Sequence, residues 1–219
     1  NTISVESDEN CITIANGIEV IKHSEWIRIF NKAFQDLIML NLRKKYIFFH
    51  GSGVHYKNTN IIFIGKSGAG KTSCATYLAL NKNARLIGDD FLPFRIFDYR
   101  LCAFPGSLHI KRDSIKLYKL IDKLSFGVSV DCKDSIYYFN PVDLGITKHI
   151  VCNDEKNIFI FPFYNNISNK CVKLDGLEKL YSFIDCVYNV DLMAFELINY
   201  IKTVNKVFRI EYTDFKEME

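Results

Sequence analysis

The feature that most constrains this chain is a glycine-rich turn between an apolar segment and a helix-forming segment. Residues 65–72 read GKSGAGKT and match the pattern G-x-x-x-x-G-K-[ST] in full. Residues 61–64 (IIFI) predict a buried strand, and residues 71–81 predict a helix. With average residue usage, a chain of this length matches the eight-residue pattern by chance roughly once in a hundred. Strand, turn and helix in this order are the context that the motif requires.

This motif predicts a loop that binds the phosphates of a nucleotide. Glycines free the backbone to turn its N–H groups toward phosphate oxygens, and the N-terminus of the following helix is positive. Lys71 is expected to reach the β- and γ-phosphates, and the Thr72 hydroxyl to bind Mg²⁺. The alternative is a chance glycine turn before a helix. We assign nucleotide binding to Gly65, Lys66, Ser67, Gly68, Ala69, Gly70, Lys71, Thr72 and Ser73.

Two adjacent carboxylates supply the acidic groups that phosphoryl transfer needs besides a phosphate loop. Asp89 and Asp90 follow the predicted strand 85–88 (RLIG). Neighbouring carboxylates repel each other unless one meets a cation or shares a proton, which suits one metal ligand and one general base. The alternative is a polar turn after a strand, where Asp is common.

A histidine ends another apolar segment upstream of the loop. Residues 46–49 (YIFF) predict a buried strand that ends at His50. We expect strands 46–49 and 61–64 to pair as neighbours, which would place His50 beside the phosphate loop. The alternative is a structural histidine, since histidines are often partly buried.

The rest of the chain predicts a mixed sheet with helices on its faces, because strands and helices do not alternate regularly. Asn16-Gly17 predicts a hairpin turn within residues 12–21. Residues 91–150 predict loops and short strands, with one helix near 113–123. Other predicted elements are a helix over 25–43, a strand over 158–163 closed by Pro162, a helix from Asp175 to about 186, a helix over 190–204 and a closing strand VFRIEY.

Composition and net charge limit the domain count, the partners and the cellular compartment that we expect for this chain. The 219 residues are 48% hydrophobic, enough for one main domain with an ample core. The net charge of +3 is ordinary and calls for neither nucleic acid nor an anionic membrane as a partner. Seven scattered cysteines without a CxxC pair fit a reducing compartment. With no long apolar run and a polar start, the chain is predicted to be cytoplasmic and not bound to a membrane.

Three segments in this order, FFHGSGV, IGKSGAGKTS and RLIGDDF, resemble the catalytic core of the HPr kinase/phosphorylase family. The fold of that family is related to that of phosphoenolpyruvate carboxykinase. The resemblance is specific over residues 46–95. Residues 104–115 and 158–180 resemble the smaller HPr-kinase-like proteins that phosphorylate serines of peptides, including those of modified-peptide biosynthetic clusters.

The resemblance implies a fold, a reaction and site residues. It implies an α/β fold with a mixed β-sheet P-loop kinase core and flanking helices, as one catalytic domain over 1–219. In that domain, 1–45 form a hairpin plus helix and 46–219 form the core. It implies ATP and Mg²⁺ as cofactors, with GTP left open, a Ser or Thr acceptor in a protein or peptide, and a homo-oligomer. The implied catalytic residues are His50, Lys71 and, as general base, Asp89, and the implied metal ligands are Thr72 and Asp90.

This chain also departs from the family pattern. The bacterial regulator kinases carry a further acidic metal ligand in an Arg-Gly-containing motif, whereas the comparable stretch here is LHIKRDS, with Asp113 as a candidate. Lys111 and Arg112 are candidates to contact the transferred phosphoryl group or an acidic peptide, or form a solvated basic turn. A kinase for small-molecule hydroxyls and a non-catalytic nucleotide-binding regulator stay open as alternatives. A switch GTPase is disfavoured, because no N-K-x-D motif is present.

Overall fold

The computed structural model describes residues 4–7, 12–15, 20–23, 26–104, 106–111, 127–130, 136–146, 156–165, 167 and 169–213. No helix in these ranges is both long and apolar enough to cross a membrane. The helices there are α1 (Trp26–Leu42), α2 (Lys71–Asn81), α3 (Gly176–Ile184) and α4 (Val190–Thr203). The strands there are β1 (Ser4–Ser7), β2 (Ile12–Ala15), β3 (Val20–His23), β4 (Tyr46–Phe49), β5 (Gly51–Tyr56), β6 (Thr59–Ile64), β7 (Arg85–Gly88), β8 (Leu92–Arg95), β9 (Leu108–Lys111), β10 (Gly127–Val130), β11 (Ile136–Phe139), β12 (Lys156–Tyr164), β13 (Lys170–Lys173) and β14 (Val207–Tyr212).

A six-stranded sheet in the order β13-β14-β12-β6-β5-β7 forms the centre of the molecule. Strands β14, β12 and β6 run parallel, whereas β13, β5 and β7 pair antiparallel with their neighbours. Smaller sheets in the described residues are β1-β2-β3, β10-β11-β9 and β4-β8. The prediction of an α/β protein with a mixed sheet and flanking helices is therefore confirmed, as is the antiparallel pairing of β2 with β3.

Side-chain alternation along β6 divides the core between the two faces of the large sheet. Ile62 and Ile64 belong to one buried cluster, which includes side chains of α3, α4, β4 and β8. Phe63 belongs to the other, which includes side chains of α2, β9 and β11. The loop that follows Ile64 therefore lies at the edge of two packed layers.

The chain changes sheet twice at neighbouring points, and we call these residues, 50 and 89–91, the seam. At His50 the chain passes from β4 in the two-stranded sheet to β5 in the large sheet. Residues 89–91 carry it from β7 in the large sheet to β8 in the two-stranded sheet. Because β4 pairs with β8 and β5 pairs with β7, the two crossings lie side by side.

The predicted pairing of strand 46–49 with strand 61–64 is wrong. Strand β5 occupies that place beside β6, and β4 lies in the other sheet. The residues between His50 and Thr59 form a hairpin arm of the large sheet and not a short connection. His50 therefore lies near the phosphate loop because it occupies the crossing from β4 to β5, and not because β4 pairs with β6.

Two further predictions need correction: the end of the strand at Pro162 and the capping of the helix by Asp175. Pro162 does not close its strand, because β12 continues to Tyr164. Pairing of β12 with β6 ends at Ile160, so Pro162 has only the neighbour β14 at that point, and its missing N–H is tolerated there. Asp175 lies at the N-cap of α3 as expected, but its side chain makes no capping hydrogen bond. The helix near 113–123 lies outside the described residues.

A buried asparagine ties the start of α4 to the strand that leads to His50. The Asn189 side chain is 5% exposed, and its Oδ1 accepts a hydrogen bond from the N–H of Phe48 at 3.1 Å. Its Nδ2 donates to the main-chain oxygens of Tyr46 and Arg43, at 2.9 and 3.3 Å. One side chain thus satisfies three main-chain groups next to the seam.

We expect Asn189→Ala to lower the free energy of unfolding by about 1–3 kcal/mol, because it leaves buried main-chain groups without partners. Urea denaturation of the variant measures this loss. Asn205→Ala, at an exposed asparagine, is the matched control and should change stability by less than about 0.5 kcal/mol. Equal effects of the two substitutions would contradict the assigned role of Asn189.

Candidate active site

The predicted phosphate loop lies between β6 and α2, as its sequence context requires. β6 ends at Ile64, and α2 begins at Lys71. Gly68 and Gly70 have φ angles of +81° and +93°, which residues with a Cβ rarely adopt. The loop therefore adopts the positive φ angles that its glycines were expected to permit.

Gly70 also meets a steric limit that Gly68 does not. A methyl carbon at Gly70 would lie 2.1 Å from the hydroxyl oxygen of Tyr212, whereas nothing lies within 4 Å of the same position at Gly68. We expect Gly68→Ala to cost about 1 kcal/mol of stability for its backbone angle, and Gly70→Ala about 1–3 kcal/mol more. Thermal unfolding of both variants measures the difference.

Tyr212→Phe tests the cause, because it removes the clashing oxygen and leaves a ring carbon at 3.4 Å as the nearest atom. In this background Gly70→Ala should cost little more than Gly68→Ala. If the phenylalanine gives no relief, the steric explanation is wrong. The short distance between Tyr212 and position 70 would then not explain why that position requires glycine.

Lys71, the first residue of α2, folds back over its own loop. Its Nζ donates to the main-chain oxygens of Gly65 and Lys66, at 3.0 Å in both cases, and the residue is 7% exposed. Burial lowers the pKa of Lys71, and neighbouring negative groups, including the Asp pair, counter this only in part. A buried ammonium at the start of a helix is well suited to meet an anion.

Three hydrogen-bond donors hold the Asp89 carboxylate in place. Its carboxylate accepts hydrogen bonds from the Ser52 hydroxyl, from Thr72 Oγ1 at 2.8 Å and from the main-chain N–H of His109 at 3.2 Å. Asp89 is 3% exposed. This carboxylate is thus joined to Thr72, the residue expected to bind Mg²⁺.

Asp90 has different partners from Asp89 and pairs with His50. His50 Nε2 lies 2.9 Å from Asp90 Oδ1, and the two side chains are 30% and 35% exposed. Burial acts to raise the pKa of Asp90, but the hydrogen bond and charge of His50, aided by His109 and Lys71, outweigh it and hold the pKa below its ordinary value. Tyr188 donates its hydroxyl to the main-chain oxygen of Asp90 at 3.1 Å. Asp90 is therefore a fixed, ionised carboxylate.

A cavity of about 400 Å³ brings together most of the predicted site residues, including His50, Asp90, part of the loop and the first turn of α2. The predicted residues that do not line it are Gly65, Lys66, Ala69 and Asp89. Asp89 is buried behind Thr72. The cavity is lined by His50, Ser52, Ser67, Gly68, Gly70, Lys71, Thr72, Ser73, Asp90, His109, Ile110, Lys111 and Ile136. We call it the transfer cavity.

Sequence reasoning missed Ser52 and His109. Ser52 is fully buried in β5, and the only local signal was a small polar residue between two glycines directly after His50. His109 packs its ring against Tyr138, with centroids 4.6 Å apart, and its N–H reaches Asp89. Lys111 lies at the exposed end of β9 and lines the transfer cavity. Arg112 and Asp113 lie outside the described residues.

The donors at the loop fit Mg²⁺ with a nucleotide better than a metal held by protein alone. Among the described residues, no three His, Cys, Asp or Glu side chains cluster closely enough to hold a metal ion. The Thr72 hydroxyl and the Asp89 carboxylate are hard oxygen donors of the kind that Mg²⁺ prefers, and this ion usually takes only one or two protein carboxylates plus phosphate oxygens. The site is therefore suited to a metal that arrives with phosphates.

Comparison with known proteins adds no relative. A scan against models of protein families and a search of curated proteins both find no match to this chain. The functional assignment therefore depends on the geometry above and on the resemblance carried by the three quoted segments.

Proposed function

We propose that the protein is a phosphotransferase that moves the γ-phosphate of ATP to the hydroxyl of a Ser or Thr in a protein or peptide. We also propose that its core has the P-loop fold of the HPr kinase and phosphoenolpyruvate carboxykinase type. The observation that carries the proposal is the transfer cavity, which residues of the phosphate loop and the Asp90–His50 pair both line. A phosphate loop supplies binding, and a carboxylate in the same cavity supplies a base for the acceptor hydroxyl.

Asp90 is the better candidate for the general base. It lines the transfer cavity and is ionised at neutral pH, as a proton acceptor has to be, although the interaction with His50 that lowers its pKa also lowers its proton affinity. His50 holds the carboxylate in position and favours its ionised form. The hydroxyl proton passes to Asp90 as the acceptor oxygen bonds to phosphorus and the bond to ADP breaks.

Asp89 is better suited to the metal side of the site. Three donors already engage its carboxylate, which leaves it badly placed to take a proton from an acceptor in the cavity. Its bond to Thr72 places a carboxylate beside the hydroxyl expected to hold Mg²⁺. When bound, Mg²⁺ would neutralise phosphate charge and align the phosphates. These contacts favour the reverse of the allocation made from the sequence, in which Asp89 was the base and Asp90 the ligand.

The loop and Lys71 bind the phosphates. Main-chain N–H groups at the start of α2 and the Lys71 ammonium offer positive charge where negative charge accumulates on the transferred group. Since phosphoryl transfer depends on position and charge more than on covalent chemistry, these groups, with Asp90 and the metal side of the site, would supply the main requirements of the step.

The acceptor class and a homo-oligomer come from the resemblance, and a cytoplasmic location comes from the composition; all three remain predictions. Incubation with γ-³²P-ATP, Mg²⁺ and either a degenerate Ser/Thr peptide library or a panel of hydroxylated metabolites tests the acceptor. We expect label on Ser or Thr of peptides. Label only in metabolites would favour the small-molecule kinase. Nucleotide binding without transfer or hydrolysis would favour the regulator and overturn the proposal.

A further inference from the structure

A second cavity, of about 510 Å³, lies on the other side of the phosphate loop. Loop residues 65–69 form one of its walls, and Ser67 and Gly68 line both this cavity and the transfer cavity. The two spaces are therefore neighbours across a single turn of backbone. A ligand held by the loop has access to both.

The remaining walls differ in character from those of the transfer cavity. Phe161 and Tyr164 come from β12, Leu174 precedes α3, and Tyr181 lies on α3. Polar groups are the smaller part of these walls and come from Ser182, Asp185, Cys186 and Arg209. Apolar and aromatic walls of this kind suit a flat aromatic ligand, whereas hydroxyl, imidazole and carboxylate groups line the transfer cavity. The contrast assigns the two ends of a nucleotide to different cavities.

The direction of the nucleotide follows from the Asp90–His50 pair. The transferred phosphoryl group must lie next to that pair, in the transfer cavity. The phosphates occupy the loop, and Ser67 and Gly68 line both cavities, so a nucleotide with its terminal phosphate in the transfer cavity can place its nucleoside in the other. The second cavity is the space that the structure offers there.

Three aromatic side chains that line this cavity, Phe163, Tyr164 and Tyr181, are more than half exposed, and the Tyr164 ring also contacts that of Tyr212. Tyr181 is 65% exposed and Tyr164 is 55% exposed, although both line a concave surface. Exposed aromatic side chains grouped around a cleft are typical of binding surfaces. Nucleic-acid bases gain affinity by stacking on such rings.

We propose that the second cavity binds the base and ribose of the nucleotide, with the base stacked on Tyr181. This inference depends on the proposed function, because the phosphate loop must hold the phosphates for the nucleoside to reach the cavity. It adds the position of the base, which neither the motif nor the resemblance supplies.

Isothermal titration with two ligands separates the cavity from the loop. AMPPNP carries a nucleoside and three phosphate groups, and inorganic tripolyphosphate carries the phosphate chain alone. We expect Tyr181→Ala to weaken the binding of AMPPNP by about tenfold and to leave the affinity for tripolyphosphate unchanged. Leu177→Ala is the matched control, since Leu177 is 69% exposed on the same helix and does not line the cavity. It should change neither affinity.

The outcomes are distinct. Unchanged AMPPNP affinity in Tyr181→Ala, or an equal loss for both ligands, overturns the nucleoside cavity and leaves the phosphotransferase proposal standing. Failure of the native protein to bind either ligand overturns both. Circular dichroism of each variant confirms that the exposed substitutions leave the fold intact.

Discussion

Replacing Lys71 with methionine is expected to reduce phosphoryl transfer by about a hundredfold to a thousandfold while the chain still folds. The ammonium donates to two oxygens of its own loop, from which it has to move only a short way to meet phosphates. Methionine keeps the length and the apolar stem but loses the charge that opposes the growing negative charge of the transferred group. Because burial already lowers the pKa of Lys71, its removal also relieves a desolvation cost.

Initial rates of label transfer, together with thermal unfolding, measure this prediction. Lys202→Met is the control, since Lys202 is an exposed lysine in the last turn of α4 and should transfer at the native rate. A native rate in Lys71→Met would show that the loop does not hold the transferred phosphates. If that variant does not fold, Lys71→Arg replaces it, because arginine keeps the charge but not the shape and should still lose rate.

Substitutions of the two aspartates are expected to change different properties: the rate of transfer for Asp90 and the Mg²⁺ requirement for Asp89. Asp90→Asn should lower kcat by about a hundredfold to ten-thousandfold with little change in MgATP affinity, because it removes a base and leaves the loop intact. Asp89→Asn should raise the Mg²⁺ concentration needed for half-maximal nucleotide binding, because the amide cannot replace the charge beside Thr72. Rates and Mg²⁺ titrations on both variants separate the two roles.

Asp143→Asn, at an exposed turn, controls for the loss of a negative charge and should behave as the native protein. The reverse result, with loss of kcat alone in Asp89→Asn and loss of Mg²⁺ response in Asp90→Asn, would restore the allocation made from the sequence. It would also show that the hydrogen bonds around Asp89 rearrange when a nucleotide binds.

Local pattern was sufficient to predict the elements around the loop. Residues 61–81 contain an apolar run, three glycines and a helix-forming segment, and each signal acts within a few residues. Strand 85–88 and helix 71–81 have the predicted bounds, and helix α4 differs from its prediction by one residue. These elements depend little on the rest of the fold.

Pairing and side-chain partners could not be predicted in the same way. Strand β5 reads GSGVHY, and its two glycines and its serine hid it as a strand, whereas β4 reads YIFF. The two-residue turn Lys57-Asn58, in which both residues have positive φ, was the local sign that β5 and β6 form a hairpin. His109 reaches Asp89 from twenty positions along the chain, and its own strand gives no sign of that contact. The division of labour between Asp89 and Asp90 depends on which carboxylate faces Thr72, and this is a property of the folded sheet.

The position of the site residues at the seam limits which insertions the chain can tolerate. His50 and the Asp pair occupy crossings between two sheets, so adding one residue at either crossing would turn the following strand over and separate the imidazole from its carboxylate. Lys111 lies at the exposed end of β9 and at neither crossing, so a change in its charge leaves the register of the seam intact. Engineering of new acceptor preferences therefore belongs at this side chain and not at the crossings.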